Sequence, residues 1–95
     1  MTVDMIKGVK EYESKVEIDP AVKKYCEEHG LTVPQSEVIQ MLMLGMSHKD
    51  MASYLGASDI AIKYRFKRIY EKIDTEDVCQ IMVDIYDIAV RGEEG

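Results

Sequence analysis

Apolar residues recur every three to four positions along most of the chain, which is the spacing of one side of an α-helix. The clearest stripe joins Ile62, Phe66, Ile69 and Ile73. Alternating apolar and polar residues, the pattern of a half-buried strand, occur over no useful length. Neither of the two prolines interrupts a periodic segment. We therefore predict an all-α protein, built as a small helical bundle.

Capping residues and glycines divide this pattern into six predicted helices, over residues 2–16, 20–29, 32–44, 47–55, 58–73 and 74–91. Thr32-Val-Pro-Gln35 resembles a capping box, and Ser47 and Ser58 are placed to begin the next two helices. The turn between those two contains Gly56 and completes the pattern of a helix-turn-helix. We expect an N-terminal helical extension over 1–30, a domain over 31–91 and a flexible tail over 92–95.

The second helix of this pair differs in charge from the rest of the chain. Residues 58–72 contain five basic and two acidic residues, although the formal net charge of the whole chain is −6. Lys63, Tyr64, Lys67 and Arg68 lie opposite the apolar stripe. A helix with an apolar inner side and a basic, aromatic outer side suits binding to a nucleic-acid groove lined with phosphates. The alternative for the same cations is an ordinary solvated helix side.

The order of several short blocks from Leu31 to Ile73 resembles the LuxR-type, or GerE-like, helix-turn-helix DNA-binding domain. These blocks are Leu31-Thr32, Glu37-Val38-Ile39, Met41-Leu42, Gly45-Met46-Ser47, Lys49-Asp50-Met51-Ala52, Leu55, Ser58, Ile62-Lys63 and Ile69-Tyr70-Glu71-Lys72-Ile73. The chain departs from that family at three places. Ala61 stands where threonine is usual, Asp74 stands where glycine is usual, and the acidic pair Glu76-Asp77 replaces an often basic position.

The resemblance implies that the helix over 58–73 is a recognition helix in the major groove of double-stranded DNA. The DNA-binding residues that it implies are Lys63, Tyr64, Lys67, Arg68, Arg65, Lys49 and Ser58. The first three would face base edges, and the others would meet phosphates. Apart from the resemblance, His48 is a polar residue in the first turn of its predicted helix, and we expect it to reach a phosphate as well. Ile60, also on the outer side, would either touch a thymine methyl group or pack against residues 20–29.

The last predicted helix is apolar over an arc of about 220°, well beyond the roughly 100° that a surface helix needs. One side of it is expected to pack on the helix-turn-helix. The other side carries Cys79, Val83, Tyr86 and Val90 and needs a second cover. That cover is either a symmetric copy of the same helix or the first predicted helix folded back. We expect the symmetric copy, and therefore a homodimer.

The remaining residues indicate neither catalysis nor a metal site. Cys26 and Cys79 are far apart, which is typical of reduced thiols in a cytoplasmic protein. Cys26 and His29 have a CxxH spacing, but the sequence lacks the second pair that zinc requires. No Ser/His/Asp arrangement or phosphate-binding loop occurs, so we expect no catalytic residues, no metal and no cofactor. No apolar run approaches membrane-spanning length and no signal peptide is evident, so we expect a cytoplasmic protein without a membrane partner.

These patterns predict a sequence-specific DNA-binding transcriptional regulator. The alternative is a protein-interaction module that binds and inhibits a LuxR-type regulator or another transcription factor without binding DNA itself. The acidic pair Glu76-Asp77 and the wide apolar arc favour that alternative. Another transcription regulator or RNA polymerase therefore stays open as a partner.

Overall fold

The computed structural model describes residues 16–94 and contains five helices in that range. In chain order they are α1 (Pro20–Glu28), α2 (Val33–Met43), α3 (His48–Leu55), α4 (Asp59–Ile73) and α5 (Val78–Glu94). No strand occurs within residues 16–94, so the all-α prediction is confirmed. The helix predicted over 2–16 lies, apart from its last residue, outside the described residues. The predicted domain boundaries stay predictions.

Side-chain hydroxyl groups begin three of the helices at the predicted positions. The Thr32 hydroxyl accepts from the Gln35 amide, and the Gln35 side chain accepts from the Thr32 amide, which makes the reciprocal capping box before α2. Ser47 accepts from the amide of Asp50 at the start of α3, and Ser58 accepts from the amide of Ala61 at the start of α4. Each cap satisfies an amide that has no partner inside the first helical turn.

The last helix differs from its prediction at both ends. Asp74 adopts the left-handed conformation with φ of 58°, which ends α4, and α5 then begins at Val78 instead of directly after Asp74. The Asp77 carboxylate accepts from the Cys79 amide at 2.9 Å and supplies the cap of the new helix. At the other end, α5 continues to Glu94 through residues that were expected to form a tail. Gly92 does not end α5, because it does not adopt the left-handed conformation, with positive φ, in which glycine commonly ends a helix.

A single hydrophobic core receives side chains from all five helices. It includes Val22 of α1, Ile39 of α2, Met51 of α3, Phe66 of α4 and Ile81 of α5. α5 packs mainly on α1, and α1 also packs on α2, whereas α4 packs on α3 and α2. The helix-turn-helix and the helix that precedes it therefore share one core. This core fixes the direction in which α4 presents its outer side.

A buried amide joins the beginning of α1 to α2. The Gln40 side chain accepts from the Asp19 amide at 2.8 Å and donates to the Asp19 carboxylate at 3.1 Å. Asp19 occupies the N-cap position of α1, but its carboxylate makes no capping hydrogen bond. The Asp19 carboxylate accepts from the Gln40 side chain instead, because the buried side-chain amide of Gln40 needs both a donor and an acceptor as partners.

Among residues 16–94, no helix combines the length and the apolar character that crossing a membrane requires.

Candidate nucleic-acid interface

The outer side of α4 carries a group of exposed cations. Ile62, Phe66 and Ile69 are buried, at 0 to 2% exposure, and they turn the opposite side of the helix toward solvent. The side chains that this exposes are Lys63, Tyr64, Lys67 and Arg68. The 3.6-residue period thus brings the four predicted outer residues onto one surface, as expected.

Arg68 has two neighbours on this surface. Its guanidinium carbon lies 6.0 Å from the centre of the Tyr64 ring, and its Nη1 lies 3.6 Å from a carboxylate oxygen of Glu71. Both side chains of the ion pair are about half exposed, so the pair is weak and can be exchanged for another anion. Arg68 is therefore held near the helix by weak contacts and can still reach a phosphate.

Arg65 does not lie where a phosphate contact requires it. Only 28% of its side chain is exposed, and its Nη1 donates to the carbonyl of Pro34 at 3.4 Å and lies 3.8 Å from the buried carboxylate of Glu37. The role of Arg65 at flanking phosphates stays a prediction, and in this structure its side chain lies against α2 instead. The signal that identifies its inner position is its spacing, because Arg65 follows Ile62 by three residues and precedes Ile69 by four.

Lys72 is a second cation of α4 that faces the protein. Its ammonium group donates to the carbonyl of Gly30 at 2.9 Å and to the side chain of Gln35 at 3.2 Å. Lys72 and Arg65 together attach α4 to the loop before α2 and to the first turn of that helix. Sequence spacing within α4 could not identify the partners of Arg65 and Lys72, since these lie outside α4, in the loop before α2 and in α2 itself.

The two predicted sites outside the outer side of α4 have different surroundings. Lys49 is exposed in the first turn of α3, as a phosphate contact requires. The Ser58 hydroxyl is already an acceptor for the Ala61 amide at 3.0 Å, so its role in the protein is that of a cap. His48 was expected to reach a phosphate, but its ring stacks on Phe66, with the ring centres 4.8 Å apart. That stacking leaves it half-buried beside the core.

An open cavity of about 760 Å³ lies along α4 and joins groups of opposite charge. Lys63 and Lys67 line it together with Glu71, Asp74 and Glu76. Burial raises the pKa of the Tyr70 hydroxyl in this cavity, and the nearby carboxylate of Glu76 raises it further. The basic surface therefore ends at an acidic border near the C-terminus of α4.

Ile60 lies on the outer side of α4, in its first turn, and is 78% exposed. The alternative in which this side chain packs against residues 20–29 is wrong, because so exposed a side chain has no such cover. The first turn of α4 thus presents an isoleucine next to the cationic surface.

A second exposed surface lies on α5. Val83 is 59% and Tyr86 is 68% exposed, Cys79 is exposed, and Val90 is half-buried. These four residues follow one another at helical spacing, while Ile81 and Ile85 on the other side of α5 are buried in the core. The residues predicted for a dimer interface therefore form one uncovered apolar stripe in the part of the chain that the structure describes.

The described residues contain no cluster suited to a metal ion. No group of three or more His, Cys, Asp or Glu side chains within residues 16–94 is arranged to hold one. Cys26 is buried and Cys79 exposed, and neither forms a disulfide. Burial raises the pKa of the Cys26 thiol, which keeps it in its unreactive protonated form at neutral pH.

A model of a known protein family matches the helix-turn-helix part of the chain. The family model of bacterial regulatory proteins of the luxR family (GerE) matches residues 29–84, more than half of the 95 residues. The matched segment begins after α1 and ends within α5, so it contains the whole helix-turn-helix. No curated protein and no solved structure matches the chain.

Proposed function

The chain belongs to the luxR family of bacterial regulatory proteins, and on that premise we propose that it is a sequence-specific DNA-binding transcriptional regulator. In this proposal, α4 lies in the major groove of double-stranded DNA, and two copies of the chain associate through α5. The cytoplasm, where bacterial DNA lies, is the location that this function requires.

The observation that carries the proposal is the outward position of Lys63 and Lys67 on α4. The chain as a whole is acidic, with a formal net charge of −6, yet these two lysines are exposed together on the side opposite the core. Salt limits the influence of distant charges to about 8–10 Å under cellular conditions. A duplex that approaches α4 therefore meets a locally basic surface, in spite of the acidic remainder.

Each outer residue has a role that its chemistry supports. Lys63 and Lys67 donate to the acceptor atoms on the edge of guanine, and each good contact of this kind discriminates by about 1–3 kcal/mol. Tyr64 lies between them and covers the sugar or base edge that its ring reaches. Arg68 exchanges its exposed pair with Glu71 for a phosphate.

Phosphates on the flank of the groove meet the beginnings of α3 and α4. Lys49 supplies a charge there, and the amides in the first turns of both helices supply the positive end of the helix dipole. Ser58 contributes by capping α4, which fixes where that first turn lies. Arg65 has no contact with DNA in this proposal, since it lies against Glu37.

The homodimer rests on the apolar stripe of Cys79, Val83, Tyr86 and Val90 on α5. Val83 and Tyr86 are more than half exposed in the single chain, which is unfavourable for such large apolar side chains in water. A two-fold symmetric pairing of α5 with its copy buries the stripe on both chains at once. It also fixes the separation of the two α4 helices, and with it the spacing of the two half-sites.

A second candidate function is favoured by the acidic border of α4. Glu71, Asp74 and Glu76 line the same cavity as Lys63 and Lys67, and they repel phosphates that approach the C-terminal half of the helix. A chain with reduced DNA affinity and an intact α5 stripe would pair with a full-length regulator of this family and inhibit it. Absence of duplex binding, together with formation of a mixed dimer with such a regulator, would support this function.

Fluorescence anisotropy with a random-sequence duplex at several salt concentrations tests the main proposal. We expect wild-type binding that weakens steeply as salt rises, because cations on α4 displace counterions from DNA. Lys63→Ala/Lys67→Ala should lower the affinity about tenfold or more. The matched control Lys23→Ala/Lys24→Ala removes the same charge from exposed positions of α1 and should change it little. Equal losses in both double variants would contradict the role of α4.

A further inference from the structure

Ile60 is the most exposed of the large hydrophobic side chains that the structure describes. Its exposure is 78%, against 68% for Tyr86 and 65% for Leu44. The Ser58 cap holds the first turn of α4 in place, so the exposed position of Ile60 is set by regular helix geometry. Neither the core nor α1 covers this side chain.

The residues around Ile60 on the outer side of α4 are basic or aromatic. Lys63 and Tyr64 follow it by three and four residues, and Lys67 follows by seven, so all lie along the same side of the helix. An apolar protein surface that covered Ile60 would also have to bury the two lysines, which is unfavourable without anionic partners. A duplex offers both features, since phosphates flank the major groove and thymine places a methyl group within it.

We propose that Ile60 determines part of the DNA specificity by contacting the C5-methyl group of a thymine in each half-site. This inference rests on the proposed function and adds the identity of one base to it. The methyl group of thymine is the apolar group that base edges present in the major groove. An isoleucine in the first turn of α4 therefore selects A·T over G·C at the base pair it faces.

The position of this thymine relative to the bases read by the lysines follows from helix geometry. Seven residues separate Ile60 from Lys67, which corresponds to about 10 Å along the helix axis. The rise per base pair along the duplex axis is about 3.4 Å. The groove is inclined to that axis, so a helix that follows it places the thymine about two to three base pairs from a guanine contacted by Lys67, on the side of the N-terminus of α4.

The test begins with selection of bound duplexes from a randomised library by the wild-type protein. Each thymine that the selected site shares is then replaced in turn by deoxyuridine, which lacks only the methyl group. We expect one position per half-site at which this replacement lowers the wild-type affinity about fourfold, because that factor corresponds to the free energy of burying one methyl group. Ile60→Ala should bind the thymine duplex about as weakly as the wild type binds the deoxyuridine duplex, and should not distinguish the two.

Two controls separate the methyl contact from a general loss of fold or affinity. Alanine is a better helix former than isoleucine, and Ile60 is exposed, so Ile60→Ala is expected to keep the fold. Leu44→Ala removes a comparably exposed apolar side chain outside α4 and should keep the full preference for thymine over deoxyuridine.

The possible failures are distinguishable. Site-selective binding that is indifferent to deoxyuridine at every position would overturn the role of Ile60 and leave the proposed function standing. The same would follow if Ile60→Ala kept the wild-type ratio of affinities for the two duplexes. No binding of any duplex by the wild type would overturn both.

Discussion

α4 and α5 bury one side in the same core and differ in what they present on the other. α4 buries Ile62, Phe66 and Ile69, and its outer side carries Lys63 and Lys67. α5 buries Ile81 and Ile85, and its outer side carries Val83 and Tyr86. Two amphipathic helices of similar length therefore offer surfaces for different partners. In the proposed function, the cationic surface contacts the polyanionic duplex and the apolar stripe contacts its copy on a second chain.

The same contrast exists within α4 between two arginines only three residues apart. Arg68 lies on the outer side, where its side chain is 53% exposed and pairs weakly with Glu71. Arg65 lies at the inner edge, beside the fully buried carboxylate of Glu37 and the carbonyl of Pro34. One helix thus uses the same side-chain chemistry for two purposes, a solvent-facing contact and an internal link to α2.

The largest expected effect comes from breaking the internal link. Arg65→Ala should lower the free energy of unfolding by about 2 kcal/mol, because it removes a cation that neutralises the buried Glu37 carboxylate. Arg68→Ala, the matched control, should lower it by less than about 0.5 kcal/mol, because its pair is exposed. Urea denaturation of both variants measures the difference, and equal destabilisation would contradict the division between the inner and outer sides.

The next effect concerns the stripe on α5. Val83→Glu places a charge in the centre of the proposed dimer interface and should raise the dimer dissociation constant at least about tenfold, equivalent to about 1.4 kcal/mol. Sedimentation equilibrium over a range of concentrations reports this constant. Leu44→Glu introduces the same charge at another exposed apolar position and should leave it unchanged. A wild-type chain that stays monomeric at all concentrations would refute the dimer.

The smallest expected effect concerns the residue that ends α4 and separates it from α5. Asp74 has φ of 58°, a conformation that disfavours side chains and that glycine adopts readily. Asp74→Gly should therefore raise the free energy of unfolding by about 0.5–1 kcal/mol. Asp74→Ala removes the same charge but keeps the β-carbon, so it should not stabilise the protein. If both variants stabilise it equally, relief of charge repulsion, and not backbone strain, explains the gain.

Local features of the fold could be predicted from the sequence because their causes lie within one or two helical turns. The hydroxyl groups of Thr32, Ser47 and Ser58 cap the helices that follow them, as predicted. The outward direction of Lys63 and Lys67 followed from the position of the apolar stripe. The family, too, was indicated correctly by the order of its short blocks.

The remaining features depend on residues that are far apart in the chain. Arg65 was assigned to flanking phosphates on the family resemblance, whereas its position beside Glu37 is set by the packing of α4 on α2. The stacking of His48 on Phe66 and the bonds between Gln40 and Asp19 have the same origin. The start of α5 was missed for another reason, because a left-handed aspartate is an uncommon way to end a helix.

The most direct test of the central claim, that the outer side of α4 is the DNA-reading surface, is an amide NMR titration of the isotope-labelled protein with its selected duplex. We predict that the largest shift changes occur in the first two thirds of α4, from Asp59 to Arg68, and in the first turn of α3. The amides of α1 should change little. Shift changes confined to α1 and α5, with α4 unaffected, would contradict the account.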